Sequence, residues 1–219
     1  MIAESLTSNT IVPLRTSDTG EEALVIMNDF YVRHLPIVNN QQLLGLISED
    51  DILEYDVAEA IGSYSLSLHR PFVRNNDHIY EVMRQLAQYE LTVIPVVDYE
   101  DNYVGLVTQE DLLQYFARMS SFTEQGTILV LEMSKHDYTL SEIARIVESE
   151  SAIILSSFIT TDAYSTKVQV TLKINAQYIQ NIIATFQRFD YTIKASFNES
   201  DYLESLQERY ESLMNYLSV

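Results

Sequence analysis

The chain has 219 residues, 47% of them apolar and 21% charged, which is the balance of a folded globular protein with room for one or two domains. It has no cysteine, which excludes disulfides, thiolate metal sites and cysteine nucleophiles. Its net charge of −19 repels phosphate backbones and anionic lipid, so neither nucleic acid nor a membrane is an expected partner.

From the amino terminus, an extended segment around IVPLR (11–15) leads to Asp18 and Thr19, two candidate helix N-caps. EEALVIMNDF (21–30) then carries apolar residues at helical spacing. HLPIV (34–38) is an apolar run of strand length, and its proline, which lacks a ladder donor, belongs at a strand start or edge. After a turn at NNQQ comes LLGLIS (43–48), a second strand, and then EDDILEYDVAEAI (49–61), a helix whose acidic first turn suits the helix dipole.

The series then starts again. RPFVR (70–74), the N-cap candidate Asp77, IYEVMRQLAQY (79–89), TVIPVV (92–97), DYEDN (98–102), YVGLVT (103–108) and QEDLLQYFARM (109–119) repeat the same order of elements. A shift of 59 places Arg15 on Arg74, Asp18 on Asp77, Glu22 on Glu81 and Pro36 on Pro95. After one inserted residue, Gly45 falls on Gly105, Asp51 on Asp111 and Leu53 on Leu113. A unit of under sixty residues buries too little surface to be comfortable alone, so the two copies should pack face to face.

The repeated corner carries chemistry. A strand that ends in a hydroxyl residue and enters a helix leaves backbone N–H groups free at the helix start, where a phosphate can bind. A carboxylate one turn inside can accept from ribose hydroxyls. Ser48 with Asp51, and Thr108 with Asp111, therefore form two similar ribose-phosphate holders. The same spacing is also a capping box, which needs no ligand. Cations for phosphate are few: Arg33 and His34 stand just before LPIV, and the second copy has Thr92 and Val93 at the shifted positions. Glu49, Asp50 and Glu110 oppose a polyphosphate unless Mg²⁺ intervenes.

LPIV…LLGLISEDDIL and IPVV…YVGLVTQEDLL resemble a tandem pair of CBS domains, a Bateman module, over residues 1–120 with copies of about 1–60 and 61–120. The resemblance implies nucleotide-binding roles for Ser48, Asp51, Thr108 and Asp111, with an adenine held near Pro36 and Pro95 and phosphate contacts from Arg33 and His34. The ligands it implies are AMP, ATP or S-adenosylmethionine, with no required cofactor. On charge, the site fed by Arg33 and His34 should take AMP or ATP. The other should be empty or prefer an adenosyl group with little negative charge.

From residue 126 the pattern changes. GTILVLEM is a strand, Thr139 with Glu142 forms a capping box opening TLSEIARIVESE, and SAIILSSFIT and TKVQVTLKI are strands. AQYIQNIIATFQRF is a second amphipathic helix and YTIKASF a last strand, which gives the βαββαβ order of a ferredoxin-like domain over 121–198. This order, with LSEIARIVESESAIILSSF, resembles ACT domains, although Asp137 and Tyr138 stand where that family has a Pro-Gly pair. Residues 199–219 set Leu203, Leu206, Tyr210, Leu213 and Leu217 at spacings of three and four. That is either a short coiled-coil seam or a helix packed on its own domain.

The fold class expected is therefore mixed α/β (α+β): a CBS pair, an ACT-like ferredoxin-like domain and a C-terminal amphipathic helix, in an order similar to acetoin-utilisation-type regulatory proteins. The four histidines show no metal-ligand spacing, and five glycines form no phosphate loop, so no metal site and no catalysis are expected. No secretory leader or spanning run is visible, so the expected location is cytoplasmic. The function expected is a homodimeric regulatory sensor of an adenosyl nucleotide acting on an unnamed protein partner. The alternative is a dimerising scaffold that binds no ligand.

Overall fold

The computed structural model of the protein describes residues 1–65, 69–161, 165–198 and Met214. The chain divides into two compact units, Met1–Ala117 and Arg118–Val219. Among the described residues no helix is long and apolar enough to cross a membrane.

In the first unit the duplication appears as duplicated structure. The first copy contains α1 (Gly20–Asp29), β1 (His34–Asn39), β2 (Gln42–Ser48) and α2 (Glu49–Leu53). The second contains β3 (Val73–Arg74), α3 (Ile79–Gln88), β4 (Val93–Val97), β5 (Tyr103–Thr108) and α4 (Gln109–Ala117). Thr19 caps α1 in a complete capping box with Glu22. His78, not Asp77, caps α3, its side chain accepting from the Tyr80 N–H. Asp77 serves the turn before the helix instead: its Oδ2 accepts from Arg74 N at 2.8 Å, as Asp18 Oδ2 does from Arg15 N at 2.8 Å. Both helices end the same way, at Tyr31 (φ 53°) and Glu90 (φ 52°), each in the left-handed conformation that closes a helix C-terminus.

Pro36 and Pro95 stand third and in the interior of β1 and β4, not at the strand start. In β4 this is tolerated because β3 pairs only with Val96 and Val97, so Pro95 meets no ladder on that side. The predicted 13-residue helix after β2 is cut to the five residues of α2. The chain turns there because Ala60–Gly62 must return to the start of α1, where Ile61 N donates to Asp18 O and Gly62 N to Thr16 O, both at 2.8 Å.

The copies exchange their lead-in segments. Ser8, ahead of the first copy, exchanges two backbone hydrogen bonds with Leu106 of β5, at 2.8 and 3.0 Å. His69, ahead of the second, accepts from the N–H of Leu46 in β2 at 3.0 Å. Each copy thus borrows backbone from the segment that leads into the other, and one core serves both, from Leu14, Leu35 and Ile47 through Val93, Ile94 and Leu106. Shared burial of this kind is what a unit too small to stand alone requires.

The second unit begins with α5 (Ser120–Thr123), which the sequence pattern does not announce. β6 (Thr127–Ser134), α6 (Leu140–Ser149), β7 (Ile154–Thr161), β8 (Lys167–Ile174), α7 (Gln180–Arg188) and β9 (Thr192–Asn198) follow. The strands form one sheet in the order β7-β8-β6-β9, every pair antiparallel, which is the ferredoxin-like arrangement. β6 alternates buried and partly exposed residues along its whole length, and α6 and α7 supply Ile143, Ile146, Val147, Ile182 and Phe186 to the core. The mixed α+β class follows from both units.

The capping box expected at Thr139 does not form, and the Thr139 side chain makes no cap hydrogen bond. Glu142 is drawn away by the Tyr191 hydroxyl, which donates to its Oε2 at 3.0 Å. Burial, and then that carboxylate, push the Tyr191 phenol up to about 12. The leucine seam proposed for 199–219 lies outside the described residues.

Candidate functional site

The two hydroxyl–carboxylate corners are built alike. Ser48 closes β2 and opens α2: its N–H and its Oγ both donate to Asp51 Oδ2, at 2.9 and 2.6 Å, and Asp51 N returns a bond to Ser48 Oγ at 3.1 Å. Thr108 and Asp111 reproduce the set at 3.1, 2.7 and 2.9 Å. Both aspartates are half-buried. In each, Oδ2 is saturated by two donors, while Oδ1 takes part in none of these bonds.

The corners therefore differ from the sequence expectation in one respect. The helix start offers few free N–H groups, because Glu49 N donates to Arg33 O at 2.9 Å and Asp51 N to Ser48 Oγ. Gln109 N is likewise spent on Thr92 O at 3.0 Å. The hydroxyl protons of Ser48 and Thr108 are already given to their aspartates. What each corner holds out is an acceptor, Oδ1, suited to a ligand hydroxyl more than to a phosphate oxygen.

Arg33 and His34 lie at the seam between the copies. Arg33 N donates to Thr92 Oγ1 at 2.9 Å, and His34 Nδ1 lies 3.1 Å from Thr92 Oγ1 and 3.3 Å from Thr92 N. The seam ties both corners together, since His34 pairs with Ser48 across β1–β2 and Val93 with Thr108 across β4–β5. The Arg33 guanidinium sits 3.4 Å from Glu49 and 3.2 Å from Asp50, in exposed ion pairs of little energetic weight. Arg33 and Glu49 also line a cleft of about 430 Å³ with Leu24, Met27, Tyr31 and Leu53. A ligand phosphate that recruits Arg33 must compete with both acids.

Burial holds the His34 imidazole below its ordinary range, and the neighbouring Arg33 charge adds to this, against smaller opposing pulls from Asp51 and Asp50. A histidine with a depressed folded pKa excludes a proton that the unfolded chain accepts. Its contribution is therefore absent above about pH 6.5 and becomes destabilising as pH falls below that value. The first unit should accordingly lose stability from this group as pH falls below about 6.5. His34→Gln should flatten that part of the profile in urea melts at stepped pH, whereas an unchanged slope would assign it to other groups.

The fold and the corners together define a duplicated α+β module. The CBS domain family matches residues 3–58 and 65–118, together half of the chain, and the protein belongs to that family as a tandem pair. A homoserine O-acetyltransferase of Methanococcus vannielii is 22% identical over 118 residues, which cover 51% of this chain and 24% of that protein. The chain spans less than half the length of the curated relatives it matches. Among solved structures, a CBS domain pair/ACT domain protein from Thermotoga maritima is 21% identical with a TM-score of 0.48, covering 53% of this chain and 96% of that one. The cytosolic domain of the Mg²⁺ channel MgtE in complex with ATP is 28% identical with a TM-score of 0.44, covering 52% and 48%.

Proposed function

We propose that the first unit is a ligand-sensing module that seats an adenosyl nucleotide, of the AMP or ATP type, at one or both hydroxyl–carboxylate corners. Occupancy would act on the second unit or on a protein partner, in a chain that pairs with a second copy of itself in the cytoplasm. The observation that carries this reading is the pair of half-buried aspartates, Asp51 and Asp111, each with one carboxylate oxygen uncommitted among the described residues, at equivalent points of the two copies. Membership of the CBS family supplies the adenosyl group as the expected ligand. The unequal basic neighbours make the two sites unequal: phosphate is favoured only where Arg33 stands, beside a His34 that burial holds toward its neutral form. An adenosyl compound of low negative charge, S-adenosylmethionine among them, suits the Thr108–Asp111 corner, and Mg²⁺ would ease a polyphosphate past Glu49 and Asp50.

The second unit is proposed to be ACT-like, with domain or dimer packing as its use. Asp137 and Tyr138 replace the small residues that let backbone approach an amino acid, and Asp137 N is committed to a turn with Ser134 O at 3.0 Å. A second reading, a scaffold without ligand, is favoured by the closed capping boxes at both corners.

Calorimetry with AMP, ATP and S-adenosylmethionine separates the two. Under the sensor reading at least one compound binds, and Asp51→Ala with Asp111→Ala abolishes the heat while costing about 1 kcal/mol of capping per site. No heat from any of the three, with the protein folded, supports the scaffold.

A further inference from the structure

The two copies differ at one place where the duplication makes the difference readable. In the second copy the arginine that ends the lead-in is satisfied within the chain: Arg74 donates through Nη1 to the Asp98 carbonyl and through Nη2 to Asp101 Oδ1, both at 2.9 Å. Asp101 stands in the turn between β4 and β5 with φ 62°. In the first copy Arg15 occupies the position of Arg74, and the turn between β1 and β2 places Gln41, φ 72°, where Asp101 stands. The carboxylate is missing. Among the described residues the Arg15 side chain has no ion pair and no hydrogen bond.

That arginine lines a cleft of about 500 Å³ between the lead-in and the turn, with Thr16, Ser17, Asn39, Asn40 and Gln41 among its walls. The volume is that of a small-molecule site. The side chains of Thr16, Asn39, Asn40 and Gln41 make no hydrogen bond within the described residues either, so the wall is a set of uncommitted donors around one cation. The nearest acid along the chain, Asp18, turns its Oδ2 to the Arg15 N–H instead of the guanidinium. The turn itself is strained: Asn40 (φ 46°) and Gln41 both hold left-handed backbone, which glutamine adopts at a cost that aspartate or asparagine pays less of. β1 runs between this turn and His34, so the cleft lies at the opposite end of the strand from the Ser48–Asp51 corner.

We propose that this cleft is a second binding site, for a small free carboxylate with further polar groups, in which the ligand supplies to Arg15 the bidentate partner that Asp101 and the Asp98 carbonyl supply to Arg74. Guanidinium and carboxylate match in geometry as well as charge. Thr16, Asn39 and Asn40 then hydrogen-bond the rest of the molecule. The proposal does not depend on nucleotide binding at the other end of the strand.

The full-length protein would be titrated with malate, citrate and glutamate, and with asparagine, chloride at matched ionic strength and inorganic phosphate as controls, following the melting temperature. At least one carboxylate should give a saturable rise. Arg15→Gln should remove it, and so should Gln41→Asp, which restores the internal partner. Gln41→Asn, equally suited to the turn but uncharged, should keep it, as should Asp51→Ala. Unliganded Gln41→Asp should melt above Gln41→Asn, which shows that the new carboxylate reaches Arg15. A response to carboxylate that survives Gln41→Asp, a response to phosphate alone, or no saturable response to any carboxylate would each overturn the proposal.

Discussion

Gly105→Val should cost the first unit about 3 kcal/mol, at the upper end of what overpacking a closed site usually costs. A Cβ at residue 105 would stand 2.6 Å from Thr7 Cγ2, 2.8 Å from the Ser8 carbonyl oxygen and 2.9 Å from Asn9 Oδ1. Two of these neighbours are side-chain atoms that can move. The Ser8 carbonyl cannot, because it accepts from Leu106 N at 3.0 Å in the exchange that joins the two copies. The clash therefore falls on the segment through which the first copy is led onto the second. Thr7→Ser removes the methyl but keeps a hydroxyl able to reach the Ala3 carbonyl, the bond Thr7 makes at 3.0 Å, so it should recover part of the loss in a double-mutant cycle. Urea unfolding of the four proteins reads both numbers. A Gly105→Val loss under about 1 kcal/mol would mean the lead-in adapts and that the exchange is not rigid, whereas no recovery from Thr7→Ser would place the clash on the Ser8 carbonyl alone.

That glycine shows where the sequence stops being legible. Its recurrence at 45 and 105 marks the duplication, and periodicity places most helices and strands of both units within a few residues, α5 and the end of α2 excepted. The reason for a residue without a side chain at 105 is non-local, since it lies in residues 7–9, almost a hundred positions away. The short α2 has the same kind of origin: EDDILEYDVAEAI carries a helical pattern throughout, but the return of Ala60–Gly62 to Thr16 and Asp18 overrides it. Thr139–Glu142 reads as a capping box by spacing alone, and a tyrosine 49 positions further on takes the glutamate.

The site was legible to a similar depth. Hydroxyl and carboxylate at 48 and 51, and at 108 and 111, do come together. Their hydrogen-bond direction could not be read from spacing, and it decides that the corners present acceptors. Arg15 and Arg74 are indistinguishable in the repeat alignment. Only the fold of the two turns shows that one arginine is satisfied and the other is not, and the relevant signal, Asp101 against Gln41, is obscured by the single inserted residue between the copies.

Phe186→Ala should be the most damaging single truncation in the second unit, costing about 3–5 kcal/mol. The ring is fully buried in the last turn of α7, beneath a sheet whose inner face is lined by Leu129, Leu131, Val170 and Leu172. It also meets Tyr191 edge to face, at 5.4 Å between centroids and 78° between planes. Truncation thus leaves a cavity and removes the surface against which Tyr191 is set to reach Glu142. Against a domain stability of about 5–15 kcal/mol, that is a large share of what holds the unit folded. Tyr191→Phe separates the two contributions: it keeps the ring contact, loses only the hydroxyl bond, and should cost about 1 kcal/mol. Because the buried residues of the two units form separate clusters, the loss should fall on the transition of the second unit and leave that of the first where it was. Circular-dichroism melts of the full chain report this. A single transition that moves as a whole would show that the units unfold together.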